Sequence, residues 1–288
     1  MKISGFTFVR NAVKYDYPIV EAITSILPLC DEFVVCLGNS EDETESLLRS
    51  IPSEKIKIIH SVWDDSLRRG GKVLALETDK AFDALASDSD WAFYIQADEV
   101  VHEKYLPAIR QAMELYLDDR QVECLVLKYL HFYGSYRYVG NSRQWYRREV
   151  RVVRNDKAIR SYRDAQGFRR DEKKLKGKLV DAYVYHYGWV RNPYFQTAKQ
   201  VSFEKLFHDD DSKLTMKPDE LFDYSNAAAL SIFDGTHPQV MGQRVGSMDW
   251  QFDFDTSKRN LPLKYKVLEW VEKQTGKRFF EFRNYKLV

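Results

Sequence analysis

Apolar positions along the first half of the chain switch between two periods. Short apolar runs at 3–9, 33–37, 56–59, 91–95 and 122–130 read as strands. Between them, residues 17–29, 41–50, 73–85 and 105–117 carry apolar side chains at helical spacing, as in Ile19, Val20, Ile23, Ile26 and Leu27. Ser40 is the expected N-cap of the second helix. Strands alternating with helices of this length predict right-handed βαβ units, hence an α/β domain with a mainly parallel sheet flanked by helices. Residues 129–154 differ in character, with seven aromatic side chains interleaved with five arginines after Gly140. A strand-like run, Tyr183 to Trp189, follows. From about 191 the pattern turns helical, at 193–207, 223–233 and 263–274, with Gly276 just past the last segment. Residues 1–190 are therefore expected to form the core domain, with halves at 1–100 and 101–190, and residues 191–288 a helical C-terminal extension.

Composition narrows the class. Of 288 residues, 44% are hydrophobic and 30% charged, near globular averages, so a core can be buried. Lys plus Arg is 44 and Asp plus Glu 43, a net charge of +1, which lacks the basic excess of a protein that binds nucleic acid by electrostatics. Three cysteines, Cys30, Cys36 and Cys124, show no metal or disulfide spacing and lie in apolar segments. No apolar run is long enough to span a bilayer, and the start has no secretory h-region. A cytoplasmic protein is expected, with contact at a membrane surface compatible.

In a parallel sheet, ligands sit where strands end. Four strand ends are polar: Arg10-Asn11, Gly38-Asn39-Ser40, His60 to Asp65, and Gln96-Ala97-Asp98-Glu99. The last runs a buried strand into two carboxylates, which suits a hard divalent cation. The competing reading is a turn whose acids cap the helix that follows. After the third strand, Arg69-Gly70-Gly71-Lys72 opens a helix and suits an anion, or is a loop of solvated charges.

In their order, four features resemble the GT-A glycosyltransferases of the family 2-like group. Val9-Arg10-Asn11 looks like that family's first strand end. Residues 33–44 resemble its Asp-Gly-Ser turn. Gln96-Ala97-Asp98-Glu99 occupies the place of its Asp-x-Asp motif. His186, in Tyr185-His186-Tyr187-Gly188, resembles its late histidine. The resemblance covers residues 3–190 and departs at two points, Gly38 and Gln96, where the family carries acids. It implies a Rossmann-like GT-A sheet, a nucleotide-sugar donor and inverting transfer to a hydroxyl acceptor. The family's acceptor is a saccharide or lipid-linked saccharide, commonly of the cell envelope. The cofactor implied is a divalent metal, Mn2+ or Mg2+, on Asp98 and His186. Arg10, Asn11, Asn39, Ser40, Arg69, Lys72, Gln96 and Asp98 are the expected nucleotide-sugar residues.

An inverting transfer needs a base for the acceptor hydroxyl. Asp164 is the choice, in the region where the family carries it. Asp171, Glu172 and Asp181 lie near in sequence, and an ion pair of Asp164 with Arg160 or Arg163 is the structural alternative. The aromatic block suits sugar faces or a hairpin core. Asp253-Phe254-Asp255 also spells Asp-x-Asp, but follows no βαβ run and reads as a decoy. The competing class is a nucleotide-sugar-binding protein without transferase activity, made credible by the departures at 38 and 96. A nucleotidyltransferase is disfavoured because residues 6–11 lack its glycine-rich signature.

Overall fold

The computed structural model describes residues 1–64, 66–67, 69–207 and 216–288; the side chains of Arg69 and Phe207 lie outside the description. The strands are β1 Ile3–Val9, β2 Glu32–Leu37, β3 Ile56–His60, β4 Trp91–Tyr94, β5 Glu99–Val101, β6 Cys124–Tyr133 and β7 Ser135–Gly140. They continue as β8 Arg148–Arg154, β9 Ile159–Tyr162, β10 Gly167–Arg170, β11 Lys173–Trp189, β12 Leu230–Ile232 and β13 Tyr285–Leu287. The α-helices are α1 Ile19–Ile26, α2 Thr44–Arg49, α3 Lys72–Asp83, α4 Leu106–Leu115, α5 Pro193–Phe207, α6 Gly242–Gly246 and α7 Leu263–Thr275.

The sheet runs β3-β2-β1-β4-β8-β6-β11-β10-β9. The first four strands are mutually parallel. From β8 onward antiparallel pairs dominate, with β6 and β11 the main parallel pair. The α/β class and the parallel first half match the sequence pattern, while hairpins in the second half make the whole sheet mixed. Both faces are covered. On β2, Phe33, Val35 and Leu37 pack with α1 and α4 residues such as Ile23 and Ile109. Val34 and Cys36 point to the other face, against Val73, Ala81 and Phe82 of α3. That double burial is why β1 and β2 read as continuous apolar runs rather than alternating ones. The three cysteines are free and buried.

Several local expectations change. Ser40 does not cap α2, whose N-cap is Glu43; Asp42 accepts from the Thr44 N–H instead. Pro28 ends α1 and turns residues 27–29 into a 3-10 segment. Residues 223–233 are not a helix: a 3-10 turn at Tyr224–Asn226 leads into β12, which pairs with β7. β13 joins β11, so the segment after 190 adds strands to the sheet as well as helices. Met241 from it packs on Phe132, Tyr185 and Tyr187. Among the described residues, no helix is long and apolar enough to cross a membrane.

Candidate active site

A cavity of about 1130 Å³ opens at the carboxyl ends of the parallel strands. Phe8 to Asn11 at the end of β1 and Gln96 to Asp98 after β4 line it, as the strand-end rule requires. β5 pairs antiparallel with β11, with Glu99 opposite His186, and the Tyr187 N–H donates to the Asp98 carbonyl at 2.8 Å. This register carries Asp98 to His186, whose Nε2 lies 3.8 Å from Asp98 Oδ1.

The protons on this array follow from its partners. His131 Nε2 lies 2.7 Å from the Tyr146 carbonyl, which can only accept, so His131 carries its proton there. Its bare Nδ1 then accepts from His186 Nδ1 at 3.2 Å. Burial lowers both imidazoles, His131 well below the usual range, so both are neutral. His186 Nε2 is left as a bare lone pair toward Asp98. Burial alone would raise the Asp98 carboxyl, but the cations Lys199 and Arg191 outweigh it and hold it well below the usual carboxylate range.

Lys199, on α5, reaches the same carboxylate. Its Nζ donates to Asp98 Oδ2 at 3.0 Å and to the Gly188 carbonyl at 2.9 Å. Tyr17 and Phe203 place their rings 5.2 and 5.6 Å from it. Burial pushes the ammonium down to about 8, still charged at neutral pH. An ammonium has three N–H donors; two are used, and Lys199 lines the cavity. Gly188 is needed there, because a Cβ would lie 2.6 Å from the His186 ring and 2.9 Å from Asp98 Oδ2.

This array can be tested against a metal. A metal centre held by the protein alone, before any phosphate arrives, takes three or more side-chain donors. Among the described residues no group of three His, Cys, Asp or Glu side chains could hold one. Glu99 is spent: fully buried, it takes Arg151 in a two-point pair at 2.7 and 2.8 Å and the Tyr129 hydroxyl at 2.7 Å. Asp98 and His186 remain, and an ammonium already sits on the carboxylate. The donor set does not fit a resident metal centre.

Asp164 also faces the cavity. Its Oδ1 is buried without a hydrogen-bond partner among the described residues. The alternative ion pairs of Asp164 with Arg160 and Arg163 do not form among the described residues: Arg160 pairs with Asp83 at 2.6 Å, and Arg163 lies over the Tyr162 ring. Positive φ at Arg163 and Ala165, 56° and 62°, holds the turn between β9 and β10. Gln96 meets that turn, its Nε2 3.3 Å from the Ala165 carbonyl. Glu149, buried in the same wall, is pushed up to about 7 by burial. Of the alternative acids, Asp181 pairs with Lys128, and Asp171 and Glu172 are exposed at a turn.

The remaining expected residues divide. Arg10 lines the cavity with its guanidinium 5.5 Å from the Trp63 ring. Asn11 lines it too, yet its amide oxygen is used on the Glu41 N–H and its own N–H on Ser40 Oγ. Ser40 and Asn39 are not cavity residues; Asn39 Oδ1 accepts from the Trp63 N–H at 3.2 Å. Both hold the loop rather than a ligand. Lys72 is exposed at the start of α3 and outside the lining, and the Arg69 side chain lies outside the described residues. Asp65 and the acids at 209–211 lie there as well.

Gly38 has a physical reason. A Cβ there would lie 2.4 Å from Trp63 Nε1, so the indole fills the space an acid would need. That buried indole N–H has no partner among the described residues, and Trp63 lines the cavity. Of the five arginines, Arg143 and Arg147 bind Glu272 and Glu281, Arg151 locks Glu99, and Arg154 donates to carbonyls before β6. Asp253 accepts from Tyr138 and Asp255 from Ser257, and neither lines the cavity.

Lys199, Trp63 and Glu149 were not singled out from sequence. Lys199 sits in an ordinary helical pattern, and no local signal marks it. Trp63, an isolated Trp just after a strand end beside Gly38, could have been found.

No protein-family model matches the chain, and no curated protein matches it. Among solved structures, it is similar to residues 1–349 of S. aureus TarS, at 15% identity over 70% of this chain and 64% of that one, with a TM-score of 0.39. TarS has also been solved with UDP. A second similar structure is glucosyl-3-phosphoglycerate synthase from Mycobacterium tuberculosis in complex with Mn2+, UDP and glucosyl-3-phosphoglycerate. It shows 19% identity over 46% of this chain and 44% of that one, with a TM-score of 0.31. The chain spans less than two thirds of each of these proteins, and likeness at this level carries no argument about chemistry.

Proposed function

We propose that the protein is a glycosyltransferase that binds a nucleotide sugar in this cavity and transfers the sugar to a hydroxyl acceptor with inversion. The observation that carries the reading is Asp164: a carboxylate oxygen buried in a cavity wall with no partner among the described residues. Such a group is costly unless a ligand satisfies it, and an acceptor hydroxyl would do so. In a single displacement the acceptor oxygen bonds to the anomeric carbon as the bond to the diphosphate oxygen breaks. The acceptor proton passes to Asp164, and the leaving diphosphate keeps the electron pair.

That developing charge needs a fixed cation. Lys199 supports this role, oriented by Asp98 and the Gly188 carbonyl with one N–H to spare. Because the donors do not fit a resident metal, Lys199 takes the part that Mn2+ or Mg2+ has in the family resemblance. Trp63, with Arg10 over its ring, offers the base an aromatic face and a free indole donor. Trp145 and Tyr146 line the opposite wall and suit the sugar or acceptor.

The test is Asp164→Asn, assayed with the nucleotide sugar that best raises the melting temperature. A general base acts in the transition state, so donor affinity should persist while transfer falls by about two to four powers of ten. Near-parental transfer would remove Asp164 from the mechanism. Parental binding with no turnover by any parent preparation would instead favour a binding protein.

A further inference from the structure

The C-terminal segment carries an apolar face that no described residue covers. No residue of α7 is buried. Leu263, Val267 and Trp270 are 75%, 51% and 64% exposed, and they fall at i, i+4 and i+7 on one side of the helix. Phe280, 91% exposed, and Phe279 and Phe282 extend the patch past the Gly276 cap. A soluble surface rarely exposes so many large apolar side chains together.

Charge is sorted across the same segment. Its acids are all paired with arginines: Glu269 with Arg259 of the same segment at 2.6 Å, Glu272 with Arg143 at 2.5 Å, and Glu281 with Arg147 at 2.8 Å. Lys264, Lys266, Lys273, Lys277 and Lys286 are exposed, and none is paired with an acid among the described residues. One side of the segment is therefore a salt-bridged hinge onto the β7–β8 loop. The other is aromatic, aliphatic and cationic, with no unpaired acid.

We infer that this face binds an anionic membrane surface. Apolar side chains in a row beside several lysines are what an interfacial helix presents to lipid, and anionic headgroups attract the cations. A second copy of the chain is disfavoured, because a twofold contact would set the same unpaired lysines against one another. The position adds a consequence. Lys264, Tyr265, Leu268, Phe280 and Phe282 also line the cavity, so its mouth opens at the lipid plane. An acceptor held in the bilayer would reach Asp164 without leaving it. This consequence rests on the proposed transfer; the membrane contact does not.

The test uses the full chain with vesicles of phosphatidylcholine alone and vesicles that also contain phosphatidylglycerol. Co-sedimentation is expected with the anionic vesicles only, and lost in high salt. Trp fluorescence should shift to the blue on binding, and the shift should shrink in Trp270→Phe while binding persists. The triple variant Lys266→Glu, Lys273→Glu, Lys277→Glu avoids the cavity lining. It should melt like the parent and bind anionic vesicles at least about tenfold more weakly. Three results would overturn the inference: no vesicle binding, equal binding to both vesicle types, or a dimer broken by Trp270→Asp in a chain that ignores vesicles. Loss of vesicle binding with transfer to a soluble acceptor intact would leave the catalytic reading standing.

Discussion

Lys199 and Asp98 form a pair whose meaning a substitution can read. If the ammonium stands where a cation is needed, removing it exposes a bare carboxylate and the bare Nε2 of His186. Lys199→Ala should therefore lose nucleotide-sugar affinity in chelator and recover part of it with Mn2+, which would gain two protein donors and the diphosphate oxygens. The parent should bind the donor equally in chelator and in Mn2+. A parent that needs metal, or a variant that metal does not rescue, would contradict this role. Glu149 allows a second test at the same scale. Its folded value, about 7, lies above the ordinary 4.5. The folded state then holds a proton that the unfolded chain releases, so stability is fully present below about pH 4.5 and declines as pH rises toward 7. The difference is worth about 3 kcal/mol. Glu149→Gln should flatten that decline in urea melts at pH 5 and 7.5. An unchanged slope would show that Glu149 is ionised throughout.

At the scale of elements, the site depends on where β5 meets β11. The sequence pattern read Asp98-Glu99 as a strand end before a helix, and missed three residues of strand after it. β5 is too short for a period to show, but its pairing is what carries Asp98 to His186. The βαβ order, the strand ends and the inward-facing apolar sets were legible because burial on both faces leaves a continuous apolar signal. Asp98, His186 and Asp164 were legible through their order and their place between elements. Asn39 and Ser40 lie outside the cavity lining: local polar residues serve loops and ligands alike, and here Trp63 and Asn11 engage them. Gly188 tests the packing: Gly188→Ala puts a methyl group against the His186 ring and Asp98. It should destabilise the protein by about 1–3 kcal/mol and weaken donor binding. A melting temperature like the parent's would mean that the two side chains shift freely, and that their geometry is not fixed.

Across the whole molecule, the parallel half of the sheet supplies one wall of the cavity and the C-terminal segment the other. Arg143 and Arg147 fasten α7 through Glu272, so these two arginines act as struts. Lys199 comes from α5, a hundred residues along the chain from Asp98, which is why no local motif announces the pair. The proposed function requires that this cavity receive a nucleotide sugar with Lys199 as its cation. Calorimetric titration of uridine-, guanosine-, cytidine-, adenosine- and thymidine-diphosphate sugars into the parent chain in EDTA tests it directly. One of them should bind saturably at a single site, and Lys199→Ala should abolish that heat. Absence of binding by every one of them, or binding that the substitution leaves intact, would contradict it.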